Sequence, residues 1–143
     1  MKTQVAIALA TLALFALPAQ AAPKFSFGTD GGEYANDGEC DDPRFEGRGM
    51  TLTPLLSEDI LNDASDCRAA YEAGSIQLRG IDANGVPDFG DDNGEYANDG
   101  ECDDMRFKGE GMTLTPLLEE DIMHDATDCG TAYASGKIEL ILK

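Results

Sequence analysis

Apolar positions follow three patterns along this chain. The first is a block: Val5 to Leu17 is almost continuously apolar, with Lys2 before it and Ala19-Gln20-Ala21 after it. A positive start, a short apolar core and a small-x-small ending form the pattern of an export signal. The block is shorter than the roughly 20 apolar residues that span a bilayer. Residues 1–21 are therefore expected to be a cleaved signal peptide, and the product to be exported, to a periplasm or outside the cell.

The second pattern has helical spacing. Leu55, Leu56 and Ile60 follow Thr53-Pro54, which reads as an N-cap and first helical residue of a short helix ending near Leu61. Cys67, Ala70 and Tyr71 share one face of a second helix. Asp63 opens it, with Asp66 three residues on in a variant of the capping box, and Gly74 stops it. The third pattern is alternation: Ser75 to Arg79 switches between polar and apolar as a half-buried strand does. Phe45, Met50 and Leu52 read as core. The stretch FGTDGGEYANDGECDD is dense in turn-forming residues and reads as loop.

All of this occurs twice. Residues 27–78 recur without a gap as residues 89–140, offset by 62, with 37 of 52 positions identical. The differences carry the information. Glu46 becomes Lys108 and Arg48 becomes Glu110, so part of the surface has reversed charge. The acids Asp37, Asp41, Asp42, Asp59, Asp63 and Asp66 recur unchanged, and nowhere in the repeat has Asp exchanged with Glu. A charge layer serving solubility alone tolerates that exchange, so side-chain reach matters at these positions. Ile76 and Leu78 recur as Ile138 and Leu140 while the residues between them change, which supports the strand. Strands at Ile76–Leu78 and Ile138–Leu142 could pair within one chain or across two. The expected organisation is module one at 27–79, a turn-rich linker at 80–88 and module two at 89–143.

The formal net charge is −18, from 28 acidic and 10 basic side chains. Nucleic acid and anionic lipid both select basic surfaces, so neither is an expected partner. Four cysteines in an exported chain point to disulfides. Three pairings exist in principle. The repeat favours Cys40–Cys67 and Cys102–Cys129, since each copy then closes itself, at about 3–4 kcal/mol per loop on the chain-entropy model. Such a bond brings two acid-rich runs together: Asn36, Asp37, Asp41 and Asp42 around the first cysteine, Asp63 and Asp66 before the second. Copy two supplies Asn98, Asp99, Asp103, Asp104, Asp125 and Asp128. Crowded carboxylates repel unless a cation sits among them, and hard oxygen ligands without histidine suit calcium. Turn and cap duties for the same residues are the plainer alternative.

The loop is not an EF-hand. Aligning Gly38 with the invariant glycine puts Ala35 and Arg44 where oxygen ligands belong. The pieces Gly38-Glu39-Cys40-Asp41 and Asp63-Ala64-Ser65-Asp66-Cys67 resemble the G-x-C-D and D-G-x-D-C elements of Lin-12/Notch repeats, which are small calcium-binding disulfide modules. That resemblance implies ligand roles for Asp41, Asp63 and Asp66, and for Asp103, Asp125 and Asp128. This chain departs from it in having two cysteines per copy rather than six. The longer run NDGECDDPRF…DASDC resembles a tandem repeat of exported bacterial proteins, which implies export and modular organisation but no activity.

Catalysis finds little footing. The single histidine, His124, stands opposite Asn62 in the other copy, so no Ser–His or Cys–His pair belongs to the repeat. Arg44 and Arg106 read as ion-pair partners of Asp42 and Asp104. Paired carboxylates acting as a small hydrolase rank last. The sequence thus predicts an α+β protein of two tandem disulfide-closed modules, each loop-rich with two short helices and a short C-terminal strand. It is expected to be a calcium-binding, non-enzymatic interaction module for another exported protein. The alternative is a metal-free binding or inhibitory module that uses its acidic face.

Overall fold

The computed structural model describes residues 24–82 and 84–143, so the expected signal segment at residues 1–21 lies outside the described residues. The fold is α+β and built twice. The first module has strand β1 (Phe45–Gly47), one turn of 3-10 helix (Ser57–Asp59), helix α1 (Ala64–Glu72) and strand β2 (Ile76–Leu78). The second repeats the order with β3 (Phe107–Gly109), a 3-10 turn (Glu119–Asp121), α2 (Ala126–Ala134) and β4 (Ile138–Leu140). β1 pairs antiparallel with β2, Phe45 opposite Leu78. β3 pairs likewise with β4, Phe107 opposite Leu140. Each C-terminal strand therefore finds its partner inside its own module, in a strand the hydrophobic pattern did not announce. The second-copy strand ends at Leu140, two residues before the expected Leu142.

Helix α1 ends as its sequence directs. Gly74 takes a left-handed φ of 68°, its N–H donates to Tyr71 O, and the Ser75 N–H donates to Ala70 O. This is the glycine-terminated Schellman closure, which satisfies carbonyls that a helix end leaves free. At the other end Asp63 occupies the N-cap position without a side-chain capping bond. Its carboxylate is used elsewhere.

The expected helix from Pro54 to Leu61 is replaced by the single 3-10 turn. Leu56 is extended, with φ −116° and ψ 144°, and Leu61 is left-handed at φ 64°. The cause is a competing acceptor. The Leu61 N–H donates 2.9 Å to Asp42 Oδ2, and Met123 does the same to Asp104 at 3.0 Å. A donor captured by a buried carboxylate cannot extend the helix. Leu52, expected in the core, is 97% exposed, as is Leu114. Thr51 and Thr53 flank it, and their hydroxyls lie 3.0 Å apart.

Each core is small and centred on a disulfide. In module one Phe27, Cys40, Phe45, Ala64, Cys67 and Ile76 are buried together, with Phe25, Met50, Tyr71 and Leu78 against them. Phe27 stacks on Phe45 with centroids 5.7 Å apart, and Phe89 on Phe107 at 5.6 Å. The bonds are Cys40–Cys67 and Cys102–Cys129, each closing 27 residues. A loop of that length stabilises its module by roughly 3.5 kcal/mol on the chain-entropy model, a large share for so small a core.

The two modules also close on each other. The Asp88 N–H, at the start of module two, donates 2.8 Å to Gly80 O at the end of module one. The Ser26 N–H, at the start of module one, donates 2.7 Å to Leu142 O at the end of module two. These bonds are equivalent under the 62-residue offset, so the pair of repeats forms a two-membered ring with approximate twofold symmetry.

Candidate functional site

The disulfide joins the Gly-rich loop to the first turn of α1, and this is where the acids converge. The Asp41 N–H donates 2.7 Å to Asp63 Oδ2, and the Gly38 N–H donates 3.0 Å to Asp66 Oδ2. Asp37 Oδ1 accepts from the Glu39 N–H at 3.0 Å, which folds the loop tip into an Asx turn. Module two repeats all three bonds, with Asp103 on Asp125 at 2.8 Å, Gly100 on Asp128 at 2.9 Å and Glu101 on Asp99 at 3.0 Å.

Asp41 and Asp63 are 3% and 1% exposed, and Asp103 and Asp125 are 2% and 1% exposed. Each keeps one oxygen that is buried and has no hydrogen-bond partner: Asp41 Oδ2, Asp63 Oδ1, Asp103 Oδ2 and Asp125 Oδ1. Burial pushes the Asp41 carboxyl up to about 6, with Asp37 and Asp59 adding repulsion. It does the same to Asp63, where Asp66, Asp41 and Asp37 add theirs against the pull of the Asp41 N–H. Asp103 also reaches about 6 and Asp125 about 7, by the same causes. A sealed pair of carboxylates with free lone pairs is electrically incomplete. A proton, a cation or a bridging water completes such a pair.

The cluster sorts the sequence candidates. Asp37, Asp41, Asp63 and Asp66, with Asp99, Asp103, Asp125 and Asp128, are gathered around the disulfides. Asn36 and Asn98 lie exposed on the loop at left-handed φ of 69° and 68°. Asp42 and Asp104 are committed elsewhere. Arg44 Nε lies 2.9 and 3.0 Å from the two Asp42 oxygens and Nη2 lies 2.5 Å from Oδ2, while the Arg44 and Leu61 N–H groups donate to the same carboxylate. Arg106 holds Asp104 in the same way. Those carboxylates have no lone pair to spare for a cation.

Two residue pairs escaped the sequence reading. Asp59 and Asp121 are buried, and burial raises both carboxyls with help from neighbouring acids. Their recurrence was visible, but nothing in the 3-10 turn's sequence aims them at the loop. Thr51 is the other, since its hydroxyl beside Asp41 opposes the upward shift, as that of Thr113 does for Asp103. Asp63 Oδ2 also lies 3.4 Å from Cys67 Sγ, and Asp63 groups geometrically with both cysteines of its module. Those sulfurs are bonded to each other, so no thiolate is available and the oxygens alone define the chemistry.

The free buried atoms are all carboxylate oxygens, a donor type that suits a hard divalent cation better than a soft one. Among the described residues no helix is long and apolar enough to cross a membrane. No protein-family model matches the chain, and no curated protein or solved structure does.

Proposed function

We propose that this is an exported interaction protein in which each module carries one structural calcium ion beside its disulfide. The observation that supports this reading is the set of four buried carboxylate oxygens without donors, two per module, at equivalent positions. Asp41 Oδ2 and Asp63 Oδ1 supply the inner ligands of module one, with Asp37 and Asp66 at the mouth. Asp103 Oδ2, Asp125 Oδ1, Asp99 and Asp128 do so in module two. When bound, calcium supplies charge neutralisation. The chain's residues do the rest, Asp63 and Asp66 tying the loop to α1 through the Asp41 and Gly38 amides.

The partner in this reading is another exported protein. Two features support a binding role. Leu52 and Leu114 protrude from the identical segments Gly49–Leu56 and Gly111–Leu118, both 97% exposed. The excess of acid over the whole chain suits a partner with basic groups around an apolar pocket. The paired disulfides accord with an oxidising compartment. No residue is assigned a catalytic role.

The upward carboxyl shifts favour one competing reading, in which a shared proton takes the place of the cation and the module is metal-free. A thermal melt of the chelator-stripped, oxidised protein separates the two at pH 7.5, with and without millimolar calcium. Linkage gives about 2.7 kcal/mol per site at a hundredfold excess over Kd, a rise of many degrees for domains this small. A rise abolished in Asp63→Asn/Asp125→Asn supports calcium. An unchanged melt, with magnesium also silent, leaves the proton reading.

A further inference from the structure

The seam that closes the ring is held by two arginines, and neither reads a side chain of the segments it joins. Arg106 Nη1 donates 3.1 Å to Arg79 O, and its Nη2 donates 2.9 Å to Asp88 O. It therefore staples the end of module one to the start of module two. Arg44 Nη1 donates 3.2 Å to Ile141 O and its Nη2 donates 3.1 Å to Ser26 O, stapling the end of module two to the start of module one. Both guanidiniums are buried and fixed by their own aspartates, so each presents a rigid donor fork to main-chain carbonyls. Arg79-Gly80 and Ile141-Leu142 share no side-chain chemistry, yet the same clasp takes both. It recognises an extended backbone leaving a strand.

The two seams differ in one respect. At Arg106 the joined segments are continuous through a hairpin, with Ile81 bridged to Pro87 and the Asp82 carboxylate accepting the Asn84 and Val86 N–H groups at 2.8 Å each. At Arg44 the clasped segments are 97 residues apart in sequence. Only the 80–88 hairpin forces the clasp to take Ile141–Leu142 from its own chain. Unfolded to full extension, those nine residues reach roughly 30 Å.

We propose that the Arg44–Ser26 clasp is an exchangeable docking surface whose other occupant is the Ile141–Leu142 segment of a second copy of this chain. Opening of the 80–88 hairpin lets module one of each copy close on module two of the other. The contacts are those already present in the single chain. Loss of effective concentration is the cost, so exchange is favoured at high concentration. This inference does not depend on the calcium reading.

The test removes the hairpin. Deleting residues 81–87 would join Gly80 directly to Asp88, placing a peptide bond between two groups that the seam holds as acceptor and donor. One chain can no longer close on itself, whereas two can. Light scattering is expected to give twice the single-chain mass at all accessible concentrations, with one cooperative melt. Wild-type protein is the second measurement, incubated at millimolar concentration a few degrees below its midpoint, chilled and diluted. It is expected to contain a slowly dissociating dimer. In mixtures of labelled and unlabelled copies, that dimer should show contacts between the Ser26 amide of one and Leu142 of the other. A deletion variant that stays a folded monomer overturns the proposal. So does a dimer lacking the Ser26–Leu142 contact, or wild type that stays monomeric while the variant forms no defined dimer.

Discussion

Asp41 donates its backbone N–H to Asp63 Oδ2 at 2.7 Å, yet Asp63 Oδ1 and Asp41 Oδ2 are both buried with no donor. One amide thus relieves part of the repulsion that two buried anions generate. The consequence is a substitution whose sign depends on the cation. In metal-stripped protein at pH 7.5, Asp41→Asn removes one of the charges that repel Asp63 and replaces it with an amide that can donate. It is expected to stabilise module one by about 1–3 kcal/mol. With millimolar calcium the same variant is expected to be less stable than wild type, having lost an inner ligand. Urea titrations in chelator and in calcium measure both. Destabilisation in both conditions would mean that the pair is already balanced without a cation.

The pH dependence follows from the same pair. Asp41, Asp63 and Asp103 sit at about 6 and Asp125 at about 7 in the folded state, against roughly 3.9 for an unfolded aspartate. Between about pH 4 and pH 7 the folded state therefore holds more protons than the unfolded state, and stability falls as pH rises. Metal-stripped protein is expected to melt higher at pH 5 than at pH 8. Calcium should cancel or invert this slope, because raising the pH frees its ligands. Melts at half-unit intervals in chelator and in calcium test it. A metal-free profile flat from pH 5 to 8 would remove the basis for the buried-pair argument.

Arg44 and Asp42 define a third expectation. Asp42 has almost no access to water, and its oxygens are occupied by the Arg44 guanidinium and two backbone N–H groups. Removing one member of a buried ion pair strands the other, at about 3–5 kcal/mol. Arg44→Met and Arg106→Met are each expected to cost that much by urea denaturation. Adding Asp42→Asn to Arg44→Met should recover part of the loss, since the amide needs no counter-charge. A loss confined to module one would mean that the ring seams carry little of the cost. Loss of both modules together would show that they unfold as one unit.

How much of this was legible in the sequence depends on the range of the forces involved. Helix α1 and strand β2 were readable because glycine at Gly74 and alternation at Ile76–Leu78 act locally, and the disulfides because the repeat leaves two cysteines in each copy. The partner strand Phe45–Gly47 was not, since three residues containing one buried side chain carry no period. The first expected helix failed because Asp42, nineteen residues earlier, takes the Leu61 N–H. No propensity scale at Leu55–Leu61 contains that fact. The acid cluster was visible as a set of recurring aspartates, but Asp42 looked no different from Asp41. Their opposite roles come from β1, which follows at once and aims Arg44 at one carboxylate only. The ring was invisible, since its bonds run to main-chain carbonyls of unrelated sequence.

The last expectation concerns Leu52 and Leu114, where a hydrophobic residue is retained in both copies without a folding role. Burying a leucine contributes about 1.5–3 kcal/mol, and an exposed one contributes almost none. Leu52→Ser and Leu114→Ser are therefore expected to change stability by less than about 0.5 kcal/mol. Phe45→Ala and Phe107→Ala, at fully buried equivalents, should cost about 3–5 kcal/mol. The comparison matters because the surrounding run Gly49–Leu56 survived duplication unchanged while 15 of the 52 aligned positions diverged. If the serine variants fold with wild-type stability, drift at Leu52 was not held back by folding, and a binding surface accounts for its retention. A loss above about 1 kcal/mol that grows with protein concentration would place Leu52 inside a contact between copies instead. Urea denaturation of the four variants at two protein concentrations distinguishes these outcomes.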